Sequence, residues 1–304
     1  MAVQTSAEPL AGLRTPRPGP GAWFAKAARE ISHIPIIPGT LLTLVIIAAI
    51  FADFLAPHTP SAFDLEQTFR PPAWEADGAW DHPLGTDNLG RDVYSRILHG
   101  SRLALFVGFV VVFIAGSVGT TLAITAGYMG GPVEAIIMRV TDAFFSLPFL
   151  TVALVLAAVL GPSLPNLIII LALGGWTRYA RVIRGEVLRL KEIDFVAAAK
   201  LAGTPTPMIL FKHIFPNVTN TMVVLATLEL GGTIIAAASL GFLGVGVPQE
   251  IPTWGGMLSE GRPYIASAWW IATFPGLAIT FTVLGTNLLG DWLRWRLDPQ
   301  FRQL

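Results

Sequence analysis

The sequence predicts an all-helical membrane protein of six spans, and three observations carry that prediction. Of its 304 residues, 53% are hydrophobic and only 13% are charged, with a mean hydropathy of +0.62; soluble domains carry about 25% charged residues. Six apolar blocks are separated by turn-forming or charged segments, and a helix needs about 20 apolar residues to cross a bilayer. The formal net charge of +0 conceals a third signal, a segregation of Lys and Arg between alternate connections.

Residues 1–30 are rich in Pro, Gly and Ala and carry Arg14, Arg17, Lys26 and Arg29, the composition of a disordered tail. The first block, 36–56, contains one charge, Asp53. It exceeds the roughly 7–15 apolar residues of a signal-peptide core and reads as a retained span. With the hydrophilic loop that follows it makes a first region, 31–101. Seven acids of this loop (Asp64, Glu66, Glu75, Asp77, Asp81, Asp87, Asp92) outweigh Arg70, Arg91 and Arg96. Its second half reads as a turn leading into an amphipathic helix whose Ile97 and Leu98 lie on a membrane face.

Residues 102–304 form the core. No charge occurs from 103 to 133, which gives span two, closed by Gly130-Gly131-Pro132. Arg139 and Asp142 open the third span, spaced i, i+3 so that each can neutralise the other. The uncharged run 143–177 is too long for one helix. Gly161-Pro162-Ser163-Leu164-Pro165 divides it into spans three and four, and Pro148 kinks the former. Blocks 218–243 and 265–290 give spans five and six, the last ending in the interfacial anchors Trp292, Arg294, Trp295 and Arg296.

Between spans four and five lies a polar stretch, 190–217, too hydrophilic to cross a membrane. Asp194 to Ala202 has good helix formers, and Gly203 ends that helix because a left-handed residue there is cheapest as glycine. Thr204-Pro205 or Thr206-Pro207 then reads as an N-cap and first-turn proline of a second short helix, which Pro216 stops.

Six spans put both termini on one side. That side collects the four tail cations, the seven of the 178–212 segment and Arg294, Arg296 and Arg302; the other side holds the acidic loop, an uncharged turn and Arg262. Lys and Arg favour the cytoplasm, so the termini and the bent pair are expected there and the acidic loop outside.

The chemistry is sparse. No G-x-x-x-x-G-K-[ST] phosphate loop, no Ser-His-Asp arrangement and no H-E-x-x-H pattern occurs, so no enzyme activity is expected of the chain itself. Cysteine is absent, and the five histidines include no i, i+4 pair, which argues against a metal site. The spans also lack the acid and histidine chains of a proton relay, against a stand-alone secondary transporter. Glu229 is the one ionisable residue deep in a span. It either lines a polar pathway and meets a cationic group on the cargo, or pairs with a neighbouring subunit or helix dipole.

The spacing Ala197-Ala198-Ala199, Gly203, His213 and Pro216 resembles the E-A-A-x3-G-x9-I-x-L-P loop of binding-protein-dependent ABC importer permeases. Ala197 stands where the family has Glu, His213 where it has Ile, and Phe215 where it has Leu. Gly85-Thr-Asp87-Asn-Leu-Gly-Arg91-Asp92-Val-Tyr-Ser-Arg96 is similar to the lead-in of the C-type permease of dipeptide, oligopeptide and nickel importers. So are Ser239-Leu-Gly-Phe-Leu-Gly-Val-Gly246, Thr253-Trp-Gly-Gly-Met-Leu258 and Asn287-Leu-Leu-Gly-Asp291-Trp-Leu-Arg294 with Asp298-Pro299. Ala237 departs from that subfamily's Glu.

The resemblance implies the type I ABC importer permease fold in a bacterial cell membrane, without a cofactor or nucleic-acid partner. It further implies a heterodimer with a homologous permease, two cytoplasmic ATPase subunits and an extracytoplasmic binding protein. The loop 190–217 would be the coupling element, through Ala197, Ala198, Ala199, Gly203, His213 and Pro216. Asp87, Arg91, Asp92 and Trp254 become candidates for a gate or for contact with the binding protein, against the alternative of a solvated loop. Di- or oligopeptides are the expected cargo, with nickel or another small solute as the alternative.

Overall fold

The computed structural model describes residues 36–297. The chain groups into Met1–Ile36, of which only Ile36 is described, and Ile37–Leu304, the unit considered below. The expected disordered tail, His33, the Asp298-Pro299 match and Arg302 all lie outside the described residues.

The described residues are helical, without strands; Thr86 and Asp92 form one isolated antiparallel bridge. The helices are α1 (Ile36–Ile50), α2 (Ala52–Leu55), α3 (Val93–Met129), α4 (Gly131–Ser146), α5 (Phe149–Leu160), α6 (Leu164–Leu190), α7 (Asp194–Leu201), α8 (Thr206–Ile209), α9 (Phe215–Phe242), α10 (Trp254–Gly261) and α11 (Trp270–Leu297). Three are long and apolar enough to cross a membrane: α3, the continuous run Thr206–Phe242, and α11. The bent pair α4–α5 makes a fourth if counted as one span. α1 has 15 residues. α6 has 27 but turns from apolar to basic at Arg178, so its apolar half alone reaches only about 21 Å at 1.5 Å per residue.

Local chemistry sets most boundaries. Asp92 caps α3 by accepting from the Ser95 amide at 2.7 Å. Gly130 and Gly131 end it with φ of 67° and 57°. Pro148 does more than kink: α4 and α5 meet at 87°, because Leu147 before the proline is driven to an extended backbone (φ −98°, ψ 135°). Ser163 caps α6 through the Asn166 amide, and Asn166 Nδ2 donates to the carbonyls of Leu160 and Gly161 that end α5.

Three sequence expectations need correction. The amphipathic segment before span two is not a separate helix: it forms the opening turns of α3, and 37 residues make that helix about 55 Å long. Leu98 is buried and Ile97 packs against a core that includes Trp254 and Met257, so both face protein rather than lipid. Asp142 does not pair with Arg139; its Oδ1 accepts from Arg181 on α6 at 2.6 Å. Pro216 does not stop the second short helix. A wide turn over Leu210–Ile214, with the Phe215 amide reaching back to Leu210, precedes the proline, and the helix runs on as α9. That wider turn eases the clash a proline ring makes with the carbonyl four residues back.

The largest helix contact is between α3 and α6, and it rests on small residues. Ala115, Gly119, Ala123 and Gly127 recur every fourth residue of α3 and meet Trp176, Tyr179, Ile183 and Val187 of α6. A Cβ on Gly119 would lie 2.3 Å from the Trp176 carbonyl oxygen and 2.7 Å from Tyr179 Cβ. Gly119→Ala must therefore push two backbones apart. It is expected to cost about 1–3 kcal/mol, read as an earlier thermal transition of the purified protein. Gly127→Ala, which meets the Val187 side chain at 2.8 Å, should cost less. Equal losses at the two positions would contradict this packing.

Candidate functional site

Three regions carry the candidate residues, and the first two lie on elements joined to each other. The first is the bent pair α7–α8. Asp194 starts α7, and Gly203 closes it in the left-handed conformation, φ +74°. The Gly203 amide donates to Lys200 and the Thr204 amide to Ala199, both at 3.0 Å, the paired bonds of a Schellman end. Pro207 falls in the first turn of α8 as expected, but neither threonine caps it. Pro205 takes that position in an extended conformation, and its carbonyl accepts from Ile209 at 3.1 Å.

The pair is two-faced. Val196, Ile209, Ile214 and Val218 are buried in one cluster with Ala123 and Ile124 of α3 and Ile183, Val187 and Leu190 of α6. Lys200 Nζ sits 5.1 Å from the Tyr128 ring centroid of α3. On the other face Ala197, Ala198, Gly203 and Pro216 are exposed, while Ala199 and His213 are half-buried. Leu201 is 90% exposed and Phe211 76%. A short polar segment that roots itself by one apolar face and displays another is suited to a protein partner.

The second region is a cavity of about 660 Å³ between the α4–α5 bend, α6 and α9. Its wall is apolar, including Phe144, Phe149, Leu156 and Ile170, apart from a few polar groups. The main exception is an ion pair: Arg178 Nη1 donates to Glu229 Oε1 at 2.6 Å. The Glu229 side chain is 13% exposed and that of Arg178 59%. Glu229 thus has its counter-ion within the chain, 51 residues away, a partner that sequence spacing did not indicate. Arg181–Asp142 and Arg184–Glu134 continue the ladder down α6, the latter with Arg184 Nε at 2.6 Å.

Asp87, Arg91, Asp92 and Trp254 are all buried. Asp87 Oδ2 accepts from Arg91 Nε at 2.7 Å and also from Arg96 Nη1. Glu260 Oε2 accepts from both arginines at 2.7 Å and closes a four-membered network. Asp87 Oδ1 meanwhile holds the amides of Leu89 and Arg91. Two indoles pin the loop to the helices beneath, Trp270 Nε1 donating to the Thr86 carbonyl and Trp269 Nε1 to the Glu75 carboxylate, while Trp254 Nε1 donates to the Ile97 carbonyl and joins α10 to α3. In this conformation Asp87, Arg91 and Asp92 form the interior of the loop and Trp254 is buried on α10 beneath it, so none of the four is on the surface. Glu260, which sequence reasoning missed, completes that interior from 164 residues beyond Arg96.

Among the described residues, helices long and apolar enough to cross a membrane and a polar bent pair packed against α3 and α6 mark a membrane component. Residues 119–303 match the model of the family described as binding-protein-dependent transport system inner membrane component, and the chain belongs to that family. It is 44% identical over 262 residues to the dipeptide transport system permease protein of Escherichia coli K12, covering 86% of this chain and 87% of that one. It is 39% identical over 278 residues to the probable D,D-dipeptide transport system permease protein of the same organism, covering 91% and 90%. Among solved structures, a chain of the inward-facing MetNI methionine ABC transporter aligns with a TM-score of 0.47 at 19% identity, covering 64% of this chain and 94% of that one.

Proposed function

We propose that this chain is the permease subunit of an ATP-driven, binding-protein-dependent importer of di- or oligopeptides. The relation to peptide permeases, 39–44% identity across most of both chains, carries this reading. The finer parts follow the same line. Six spans arise if α1, the α4–α5 pair and α6 each cross once, beside α3, α9 and α11. Both termini and the bent pair then lie in the cytoplasm. The arginines of α6 support this even though acids pair with them, because the topology rule counts Lys and Arg and barely responds to Asp and Glu.

Within this scheme the bent pair is the coupling element. Two ATPase subunits each receive one such pair, one from this chain and one from a homologous permease, and a binding protein delivers the cargo outside. The exposed Leu201, Met208 and Phe211 supply the apolar contact. Because α7 follows α6 and α8 runs into α9, a push on the pair moves both helices that wall the cavity. The buried acidic network fits a gate held shut better than a surface for the binding protein.

Glu229 and Arg178 are the pathway candidates. A zwitterionic peptide carries an ammonium for the one and a carboxylate for the other, so it can exchange with the ion pair without stranding a charge. Glu229→Gln, with Arg178→Gln, is expected to lower peptide uptake about tenfold or more in reconstituted vesicles while basal ATP hydrolysis persists. Uptake by Glu229→Gln equal to that of the unaltered protein would remove the pair from the pathway.

A further inference from the structure

The loop that precedes α3 brings together side chains that the proposed transport role does not use. His58 follows α2, and His82 and Asp92 flank the turn that starts α3. One donor atom from each of the three lies within 4.8 Å of the others. The two imidazoles stack, with centroids 4.5 Å apart and planes at 25°. His82 Nδ1 is 3.0 Å from Asp92 Oδ1. His58 Nδ1 is buried and has no hydrogen-bond partner. A buried imidazole nitrogen without a partner calls for an explanation, and beside a second imidazole and a carboxylate a bound cation supplies one.

The surroundings fix which nitrogens are available. His82 Nδ1 shares its proton with Asp92 Oδ1 at 3.0 Å, whereas His58 Nδ1 has no partner and its Nε2 faces the Asp81 carboxylate at 3.7 Å. His82 and Asp92 are 4% and 1% exposed. Asp92 is held by the Ser95 amide through its other oxygen, and Ser95 Oγ accepts from the His58 amide, which fixes the backbone of the first ligand as well. The geometry points to a divalent-cation site formed by His58 Nδ1, His82 Nδ1 and Asp92 Oδ1, with the Asp81 carboxylate beside both rings. Two imidazoles and a carboxylate suit zinc or a similar first-row ion, with a fourth position left for water or another ligand. A cation there displaces the proton that His82 shares with Asp92 and ties the end of α2 to the cap of α3.

Zinc alone is the probe. The untagged full-length chain, purified in detergent and stripped with chelator, is dialysed against micromolar zinc, and bound metal is counted by mass spectrometry. About one zinc per chain is expected for a three-ligand site, together with a rise in the thermal transition. His58→Phe keeps a ring against His82 but removes both nitrogens. Its bound zinc should fall to background and its melting should no longer respond to zinc, while its melting without metal stays close to that of the unaltered chain. Failure of the unaltered chain to retain zinc overturns the site, as does undiminished zinc on His58→Phe.

Discussion

Gly203→Val is expected to abolish uptake while leaving the protein inserted in the membrane. The glycine sits at φ +74°, and nothing lies within 4 Å of where its Cβ would be. A side chain there meets no obstacle, so the cost is conformational. The left-handed region costs a non-glycine residue about 1–2 kcal/mol, and a β-branched residue is an outlier in it. Relief comes from unwinding the Schellman end, which alters the angle between α7 and α8. Since 1.4 kcal/mol is tenfold in an equilibrium, docking to an ATPase should weaken by about that much or more. Asparagine tolerates the left-handed conformation, so Gly203→Asn should retain most uptake and Gly203→Ala should fall between. Vesicle uptake and substrate-stimulated ATP hydrolysis measured across the three variants test this. Normal values for valine would remove the bend from the coupling mechanism.

Asp87→Ala is expected to be the most destabilising single change in the loop. It deletes the carboxylate shared by Arg91 and Arg96, which are 5% and 2% exposed, and leaves Glu260 alone against two buried guanidinium groups. Breaking a buried pair by removing one partner costs about 3–5 kcal/mol. The amides of Leu89 and Arg91 lose their acceptor in the same step. The fluorescence of Trp269 and Trp270, whose indoles hold this loop, should lose its cooperative transition at a lower denaturant concentration. Asp87→Asn combined with Arg91→Met restores charge balance and should recover part of the loss. A double variant no better than the single would show that the charges do not act as a unit.

The bent pair was legible because its determinants are local. A helix end needs only a short window, and Ala199, Lys200, Gly203 and Thr204 provide both bonds of the Schellman motif. Pro216 misled for the opposite reason. Whether a proline breaks a helix depends on the turn before it, and the wide turn at Leu210–Ile214 is held by the burial of Ile209 and Ile214 against α3 and α6. The small-residue ladder of α3 is visible at 115, 119, 123 and 127, but the sequence does not say which helix it meets.

Sequence by itself determined an all-helical, apolar chain, the polar pair between its fourth and fifth apolar blocks, the break at Pro148 and the family. Each rests on composition, on spacing within a few residues or on backbone preferences of proline and glycine. The tertiary structure alone decided the partners: Arg178 for Glu229, Glu260 for Arg91 and Arg96, and His58 beside His82. Those pairs are joined by packing across 24 to 169 positions of chain. A charge or an imidazole buried away from water takes whatever partner the fold brings within about 3–4 Å, and nothing in the intervening sequence encodes that distance.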